Sequence, residues 1–394
     1  MKLTVNRKRN ELKILLLTAF FIITNCLIVN AIPLPNGADA MVKNVEKYES
    51  GEIKSVSLIE PTSITTPLGK FLFFEEKNDS YGSERNSKVE FYENGNFKSG
   101  YLKEKTVIKT PVGKYAVQFI SFYEDGKLEK FSCPVEYDTK IQGSNFTRTA
   151  KDKTQIKTSI GLLPIAGIVE LYPSNKIKKV SFGKDIFPTI SAGNFKGIEI
   201  TEFVEFFENG NVSTILLSKP QTIKTNLGKV KAANTLTLWD NGNIKDIELP
   251  EAQTFDTSIG YLSLVGISTY KSGKIEKCFL DDGRPNAVLR NNVNNKSQEV
   301  STKWGKLNIS GVSPITFYEN GILKNCNLGA EYNLKTAPAL ETSVGSIKTW
   351  KDIKFYQNGS VKILNAYELA DVNVATSQGT IKFDELFFYE TGEF

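Results

Sequence analysis

One short phrase recurs ten times along the chain: an aromatic residue three places before a turn glycine, and an apolar residue two places after it. The clearest copies are Phe91–Lys98, with the sequence FYENGNFK, and Phe317–Lys324, with the sequence FYENGILK. A phrase that returns every few tens of residues predicts a repeat architecture, because a unit of this size cannot bury its apolar face alone and must stack on its neighbours.

The turn residue sets the numbering of each unit, so that position 0 is the glycine and position −3 is the aromatic residue. The turn residues are Gly51, Gly95, Gly126, Asn175, Gly210, Gly242, Gly273, Gly321, Gly359 and Gly392. Asparagine replaces glycine once, and it tolerates the left-handed backbone better than most residues with a side chain. The aromatic row at −3 consists of Tyr48, Tyr92, Tyr123, Tyr172, Phe207, Trp239, Tyr270, Tyr318, Tyr356 and Tyr389.

Asn-Gly between two apolar-rich runs is typical of a β-hairpin closed by a two-residue type I′ turn. In that register, the aromatic residue at −3 pairs with the apolar residue at +2, and the aliphatic residue at −6 pairs with +5 on the opposite face. Aromatic–aliphatic cross-strand pairs stabilise a sheet. We therefore interpret the aromatic row as packed against position +2 and the neighbouring unit. The alternative is an exposed ladder that stacks on sugars or contacts a partner.

A second phrase, Thr-x-x-Gly, alternates with the first. It occurs at Thr66–Gly69, Thr110–Gly113, Thr158–Gly161, Thr225–Gly228, Thr257–Gly260, Thr302–Gly305, Thr342–Gly345 and Thr376–Gly379. We interpret it as the turn at the other end of the strands. Each unit then holds two antiparallel hairpins back to back, which predicts an all-β hairpin array, an elongated solenoid or meander. The alternative is a β-propeller, because roughly four short strands per unit also make a propeller blade.

Three cysteines follow residue 31, namely Cys133, Cys278 and Cys326, and an odd number cannot pair fully within one chain. Cys278 and Cys326 stand at +5 and Cys133 at +7, positions that are mostly apolar in the other units. We therefore predict buried thiols that fill the core. The alternative is a disulfide between Cys278 and Cys326, if adjacent units stack in register.

Residues 1–31 combine a basic head, an apolar run and the small-residue end Val29-Asn30-Ala31, which together indicate a cleaved export signal. The alternatives are an uncleaved membrane anchor and lipid attachment at Cys26. We expect residues 32–44 to be a short linker and residues 45–394 to hold about ten tandem units, the last incomplete. Residues 1–31 carry four of the five net positive charges, so the remainder is nearly neutral and shows no footprint for nucleic acid.

The phrase resembles the hairpin repeat of YwqK-type and MORN-like proteins. Its long spacing is similar to that of repeat proteins exported by spirochaetes, in which a cysteine often follows the lysine, as in Leu323-Lys324-Asn325-Cys326. The resemblance implies a β-hairpin scaffold. MORN-like repeats are associated with membrane and protein contacts, and YwqK-like repeats with toxin neutralisation.

The chain has no histidine, which removes Ser-His and Cys-His nucleophile pairs and histidine zinc sites. We find no pattern for a cofactor, a metal or a catalytic group. The sequence favours an exported, non-catalytic scaffold that binds protein or glycan at the cell envelope, whether periplasmic, outer-surface or secreted. The alternatives are a toxin-neutralising or immunity-type protein and an envelope hydrolase that uses two carboxylates. Membrane contact is expected only through the N-terminal segment.

Overall fold

The computed structural model describes residues 31–74, 88–133, 137–142, 145–150, 154–182, 186–281, 297–302, 305–311, 313–328, 339–342, 345–348, 352–365, 374–376, 379–381 and 385–391. Strands and turns make up these residues and no helix occurs among them, which confirms the predicted all-β class. The chain divides into an N-terminal unit, Met1–Pro134, and a C-terminal unit, Val135–Phe394. Of the predicted features, the export signal up to Asn30, Cys26 and Gly392 lie outside the described residues.

The strands of the N-terminal unit are β1 (Ala31–Pro33), β2 (Asp39–Lys47), β3 (Ile53–Leu58), β4 (Thr62–Thr66), β5 (Gly69–Phe73), β6 (Lys88–Phe91), β7 (Phe97–Thr110), β8 (Gly113–Phe122) and β9 (Leu128–Ser132). Those of the C-terminal unit begin with β10 (Tyr137–Gln142), β11 (Asn145–Ala150), β12 (Gln155–Thr158), β13 (Gly161–Pro164), β14 (Ile168–Leu171), β15 (Ile177–Ser181), β16 (Ile200–Phe206), β17 (Val212–Leu217), β18 (Gln221–Thr225), β19 (Gly228–Leu238), β20 (Ile244–Thr257) and β21 (Gly260–Thr269). They end with β22 (Ile275–Leu280), β23 (Ser297–Thr302), β24 (Gly305–Ser310), β25 (Ile315–Phe317), β26 (Leu323–Asn327), β27 (Ala339–Thr342), β28 (Gly345–Lys348), β29 (Asp352–Phe355), β30 (Val361–Asn365), β31 (Val374–Thr376), β32 (Gly379–Ile381) and β33 (Glu385–Phe387).

The N-terminal unit is an antiparallel meander. Its ladder runs through β2, β3, β6, β7, β8 and β9, each strand hydrogen-bonded to the next. A second set of hairpins branches from it: β4 pairs with β5, and the far ends of β7 and β8 pair beyond a break in register. Residues 32–44, interpreted as a linker, hold most of β1 and the first part of β2, which form a further hairpin.

The C-terminal unit repeats this plan at greater length. Its meander runs through β14, β15, β16, β17, β19, β20, β21, β22, β25, β26, β29, β30 and β33. The second set comprises β12–β13, β18–β19, the far ends of β20 and β21, β23–β24, β27–β28 and β31–β32. Adjacent hairpins share ladder hydrogen bonds and the described strands do not close into a barrel. The meander is therefore confirmed, because the blades of a propeller are separate sheets.

The predicted type I′ turn is wrong. In the Tyr92–Gly95 turn, the N–H of Gly95 donates to the carbonyl of Tyr92 at 2.9 Å, and the N–H of Tyr92 donates to the carbonyl of Asn96 at 2.8 Å. Gly95 has a φ of 84°, whereas Asn94 is not among the residues with positive φ. A type I′ turn needs positive φ at both central residues, so this is instead a three-residue loop, with a type I turn followed by a left-handed residue. Asn175, with a φ of 65°, takes that residue's place once, as predicted.

The register changes with the turn. Position −4 pairs with +2, as in Phe122 with Leu128, so the predicted pair of −3 with +2 is wrong. The predicted pair of −6 with +5 is confirmed, as in Ile120 with Phe131. One extra residue at +3 in the return strand forms a β-bulge that joins the two pairings. Because of the bulge, both pairs face the core instead of opposite sides of the sheet.

The core lies on one face of each meander, beneath the second set of hairpins. Around the Gly126 turn, the residues Ile120, Phe122, Leu128 and Phe131 are all buried. The three described cysteines belong to this core, and they are buried and free. Cys278 on β22 and Cys326 on β26 are separated by β25, hence by about 10 Å across two strand spacings, too far for the alternative of a disulfide.

Candidate functional site

Seven members of the aromatic row each donate a side-chain hydrogen bond to the next repeat. In each of these seven bonds, the tyrosine hydroxyl or indole N–H at −3 donates to the backbone carbonyl at −4 of the following repeat, at 2.8–2.9 Å. The pairs are Tyr48 with Phe91, Tyr92 with Phe122, Tyr172 with Phe206, Trp239 with Thr269, Tyr270 with Phe317, Tyr318 with Phe355, and Tyr356 with Phe388. The row therefore fixes the distance between units.

Lysine ammonium groups cover several of these rings. Lys98 Nζ lies 5.6 Å from the ring centre of Tyr92, and Lys245 Nζ lies 5.1 Å from that of Trp239. Lysine is the residue in the bulge at +3, so the same register shift that turns +2 inward directs +3 over the ring. The rings are half-buried, except for Tyr389, which is exposed. Burial, with nearby glutamates as the lesser cause, raises the pKa of the Tyr92 hydroxyl above its usual value.

Asparagines form a second connection along the turns. Asn241 at −1 accepts the N–H of Asn243 through Oδ1 at 3.1 Å, which holds the turn. The Nδ2 groups of Asn241 and Asn243 donate to the carbonyl of Lys271, in the next turn, at 2.7 and 3.0 Å. The same arrangement recurs at Asn209 and Asn211, which both donate to the carbonyl of Asp240. The turn edge is consequently a regular, preorganised polar surface.

The outer face of the meander carries carboxylates that accept hydrogen bonds from serine. Ser55 donates to Glu46 at 2.7 Å, and Ser99 donates to Glu90 at 3.0 Å. The Ser55 hydroxyl, then the Lys88 ammonium, lowers the pKa of the exposed Glu46 carboxyl. These carboxylates are engaged with neighbouring strands, and an exposed ion pair such as that of Glu46 with Lys88 contributes little stability.

The three described thiols have low nucleophilic reactivity. Burial raises the pKa of Cys133, Cys278 and Cys326 from 9.0 to about 12, so the nucleophilic thiolate is scarce at neutral pH. Within the part of the chain that the structure describes, no three residues of the histidine, cysteine, aspartate and glutamate types are grouped to hold a metal ion. The described residues also include no helix long and apolar enough to cross a membrane.

The hairpins of the second set end in turns that lie against the turns of the meander. We name the turns at position 0 the Gly-turn row, and the Thr-x-x-Gly turns the Thr-turn row. In the Thr-turn row, the threonine hydroxyl donates to the glycine carbonyl and accepts an N–H two residues on, as in Thr225 with Gly228 and Leu227. Two Thr turns of the C-terminal unit donate hydrogen bonds to the Gly turn that lies two repeats further along the chain. Ser159 thus donates to the carbonyl of Gly210 at 2.6 Å, and Asn226 to that of Gly273 at 2.8 Å.

Two cavities lie between the Gly-turn row and the Thr-turn row of the C-terminal unit, and we call the two together the groove. The first holds about 360 Å³ and is lined by Asn194, Phe195, Lys224–Asn226 and Asn241–Ile244. The second holds about 340 Å³ and is lined by Leu227, Asp256–Ser258, Gly273–Ile275, Phe317, Asn320 and Gly321. Both volumes reach the lower end of the range for small-molecule sites.

The first cavity lies beside the unit that departs from the repeat. The sequence between Asn175 and Gly210 has no Thr-x-x-Gly phrase, and here the chain forms an irregular loop closed by an isolated antiparallel bridge between Thr189 and Glu199, instead of a regular hairpin. The N–H of Ile190 donates to the carbonyl of Ile198, and the N–H of Gly197 donates to the carbonyl of Ile190. The N–H of Ser191 donates to the carbonyl of Ile160. The missing phrase was a signal for this site that the search for catalytic residues did not use.

Comparisons with known proteins identify no relative in sequence. No protein-family model matches the chain, and no curated protein matches it. Among solved structures, one match is titled "Crystal Structure of TcdB2-TccC3 without hypervariable C-terminal region". It is 10% identical with a TM-score of 0.13, and the match covers 86% of this chain but 16% of that one. A likeness at this TM-score carries no argument about fold or function.

Proposed function

We propose that this chain is a non-catalytic repeat scaffold, exported to the cell envelope, where it binds a protein or a glycan. The observation that carries the proposal is the regular polar edge of the C-terminal unit, with its two cavities of about 360 and 340 Å³. A repeat array offers a long surface on which contacts recur at constant spacing, and such surfaces serve for binding.

The aromatic and acidic side chains support a scaffold rather than a catalyst. Hydroxyls of the aromatic row donate hydrogen bonds between successive repeats, as in Tyr318 with Phe355. The carboxylates described on the outer face, such as Glu46 and Glu90, bond to serines of neighbouring strands. These groups are thus occupied in holding the array together, whereas the groups lining the groove remain accessible to a partner.

The export part of the proposal rests on the basic head and apolar run of residues 1–31. It is tested by protease shaving of intact native cells, with mass spectrometry of the released peptides and of the mature N-terminus. We expect a terminus at Ile32, with peptides released either from intact cells or after the outer envelope is opened. An unprocessed Met1 on a cytoplasmic protein would contradict export and would favour the toxin-neutralising alternative.

The binding part is tested with the same cells. Cross-linking in the intact envelope, followed by purification of the chain, is expected to recover one envelope protein or an envelope glycan in stoichiometric amount. Recovery of a toxin in a tight one-to-one complex would support the alternative. Turnover of an envelope polysaccharide by the purified chain would show that the groove is catalytic and would overturn the scaffold proposal.

A further inference from the structure

The two cavities of the groove are the same site, repeated one unit along the chain. The first is built from +14 to +16 of the Gly210 unit and 0 to +2 of the Gly242 unit, which are Lys224–Asn226 and Gly242–Ile244. The second is built from the same positions one unit later, Asp256–Ser258 and Gly273–Ile275. The repeat therefore generates a row of equivalent sites, and a ligand that fills both must itself be periodic.

We propose that this groove binds a linear, uncharged polysaccharide, with one binding site per unit. The inference rests on the proposed function, in that it names the glycan as the partner and places it. Each unit adds two strands to the meander, so equivalent sites are separated by about 10 Å, twice the spacing of hydrogen-bonded strands. This separation is on the order of the length of a disaccharide in an extended chain. Two sugars per unit would thus keep a polysaccharide in register with the groove.

The lining of the groove suits sugar hydroxyls. Amides of Asn226, Asn241 and Asn243 are fixed by hydrogen bonds to the backbone, so the walls of the first cavity are rigid before a ligand arrives. Preorganised polar groups bind at a lower entropic cost than groups that must be ordered. Backbone turns and carboxamides also present donors and acceptors together, which is what a hydroxyl needs because it both donates and accepts.

Groups that are free to contact a ligand project into both cavities. The side chains of Asn194 and Lys224 in the first cavity, and of Asp256 and Lys274 in the second, are exposed. Among the residues that the structure describes, none of these four side chains has a hydrogen-bonded or ion-paired partner. They are donors and acceptors that a sugar chain would satisfy without displacing a bond of the fold.

The charge of the lining favours an uncharged chain over a polyanion. Lys224 is the charged residue of the first cavity, while the second cavity has Asp256 and Lys274, whose charges cancel. A polyanion that carries a charge on each sugar would place a negative charge beside Asp256, and like charges at close range are repulsive. An uncharged polysaccharide avoids this cost and still uses both ammonium groups as hydrogen-bond donors.

The test is calorimetric titration of the full chain with uncharged β-1,4-linked oligomers of glucose and of N-acetylglucosamine, two to eight sugars long. We expect affinity to rise by at least tenfold when the oligomer becomes long enough to reach from one cavity to the next, because the second contact is then intramolecular. Lys224→Ser is expected to weaken binding about tenfold, the effect of losing one hydrogen bond from a charged donor. Lys274→Ser is expected to weaken binding at the second cavity by a similar factor, and either substitution should lower the gain that longer oligomers obtain from reaching both cavities.

Lys229→Ser is the matched control. Lys229 is exposed and lies directly opposite Lys224 in the β18–β19 hairpin, but it does not line the cavity. Its removal changes the net charge of the chain equally and should leave binding unchanged. Equal weakening by both substitutions, or an affinity that does not depend on oligomer length, would overturn the proposed register of one site per unit.

Failure of the glycan and failure of the scaffold give different results. If no oligomer binds but the chain recovers an envelope protein, the glycan inference is overturned and the proposed function survives. If the oligomers bind with the expected length dependence but the chain is cytoplasmic with Met1 intact, the groove stands and export is overturned.

Discussion

The N-terminal and C-terminal units share one arrangement of hairpins and differ in the side chains that fill their cores. In the N-terminal unit, Phe73, Phe97 and Phe122 form a cluster of rings with centres 4.8–5.9 Å apart. In the C-terminal unit, the place of Phe97 at +2 is taken by aliphatic residues such as Ile244 and Leu323, and two thiols stand at +5. The backbone frame therefore tolerates large exchanges of core volume, since neighbouring hairpins are held by ladder and tyrosine hydrogen bonds whose geometry does not depend on the core side chains.

The turn rows differ in the same way. In the N-terminal unit, prolines lie against the Gly turns: a Cβ on Gly95 would be 3.3 Å from Pro35, and one on Gly126 would be 3.3 Å from Pro67. In the C-terminal unit, polar residues take that place, including Asn226 beside Gly273 and Ser258 near Gly321. Proline has no N–H and closes the space with an apolar ring, whereas serine and asparagine leave donors available. The same frame thus yields a proline-covered edge in one unit and, in the other, the polar edge that we propose as the binding groove.

The largest test of this comparison is at position +5, which Phe131 occupies in the N-terminal unit and Cys278 in the C-terminal unit, both with 0% exposure. We expect Phe131→Ala to lower the free energy of unfolding by about 3–5 kcal/mol, because it leaves a large cavity beside Tyr115, whose ring stacks on that of Phe131. Cys278→Ala removes one sulfur atom and should cost about 1 kcal/mol, near the average for point substitutions. Chemical denaturation of each variant measures both values.

A matched control is Val180→Ala, which truncates an aliphatic residue at the same repeat position and should give an intermediate loss. Equal losses for Phe131→Ala and Cys278→Ala would contradict the comparison, since they would mean that the side chain at +5 contributes equally to the stability of both units. The assay must resolve the two units separately, for example by hydrogen exchange of their strands.

The sequence predicted the parts of the fold that repeat, because a position that is apolar in nearly every unit has one physical explanation. The pair of −6 with +5, the burial of Cys278 and Cys326 and the Thr-x-x-Gly hairpins were all accessible in this way. The turn type was not, because Asn-Gly fits a type I′ turn and equally a type I turn followed by a left-handed glycine. The row of core residues at −4, such as Phe91 and Phe355, was the missed signal: only the bulged register buries it with +2.

The groove could not be predicted at all from local sequence. It depends on contact between a Thr turn and a Gly turn two units later, as between Ser159 and Gly210, and no local phrase encodes that distance. The absence of Thr-x-x-Gly between Asn175 and Gly210 did mark the irregular segment beside the first cavity. This segment has no unusual cluster of polar residues, because its distinguishing feature is the missing Thr-x-x-Gly phrase.

A smaller effect is expected along the aromatic row, where Phe207 of the C-terminal unit has no polar group to donate to the next repeat. Tyr92 in the N-terminal unit bonds the carbonyl of Phe122, whereas Phe207 in the C-terminal unit has no hydroxyl to reach the next unit. We expect Tyr92→Phe to cost about 1 kcal/mol, the usual net value of one hydrogen bond. Phe207→Tyr should instead stabilise by about 0.5–1 kcal/mol if the carbonyl of Leu238 accepts the new bond. Thermal unfolding of the two variants, with Phe207→Leu to report loss of ring packing alone, measures the difference.

If Tyr92→Phe leaves stability unchanged while Phe207→Leu destabilises strongly, the rings act by packing and their hydroxyls are incidental. The next comparison would then be between the lysines that cover the rings, because Lys98 would be the remaining polar partner of Tyr92.

The smallest expected effect exchanges the residues that distinguish the two turn rows. Pro67 and Ser258 occupy the same place in the Thr-x-x-Gly turn, directly after the threonine. Ser258→Pro should raise the free energy of unfolding by about 0.4–1 kcal/mol, because proline restricts the unfolded chain at a turn whose counterpart already accepts it. Pro67→Ser should lower it by a similar amount. Denaturation of the single variants measures both, and Ser258→Ala serves as the control that removes the hydroxyl without restricting the chain.

The same pair of variants connects stability to binding. Ser258 lines the second cavity, so both Ser258→Pro and Ser258→Ala should weaken the longer oligosaccharides while only the proline variant gains stability. A variant that is stabilised by proline and still binds every oligomer as tightly as the natural chain would contradict the view that the proline-lined edge is inert. The difference between the units would then be a difference in core filling alone.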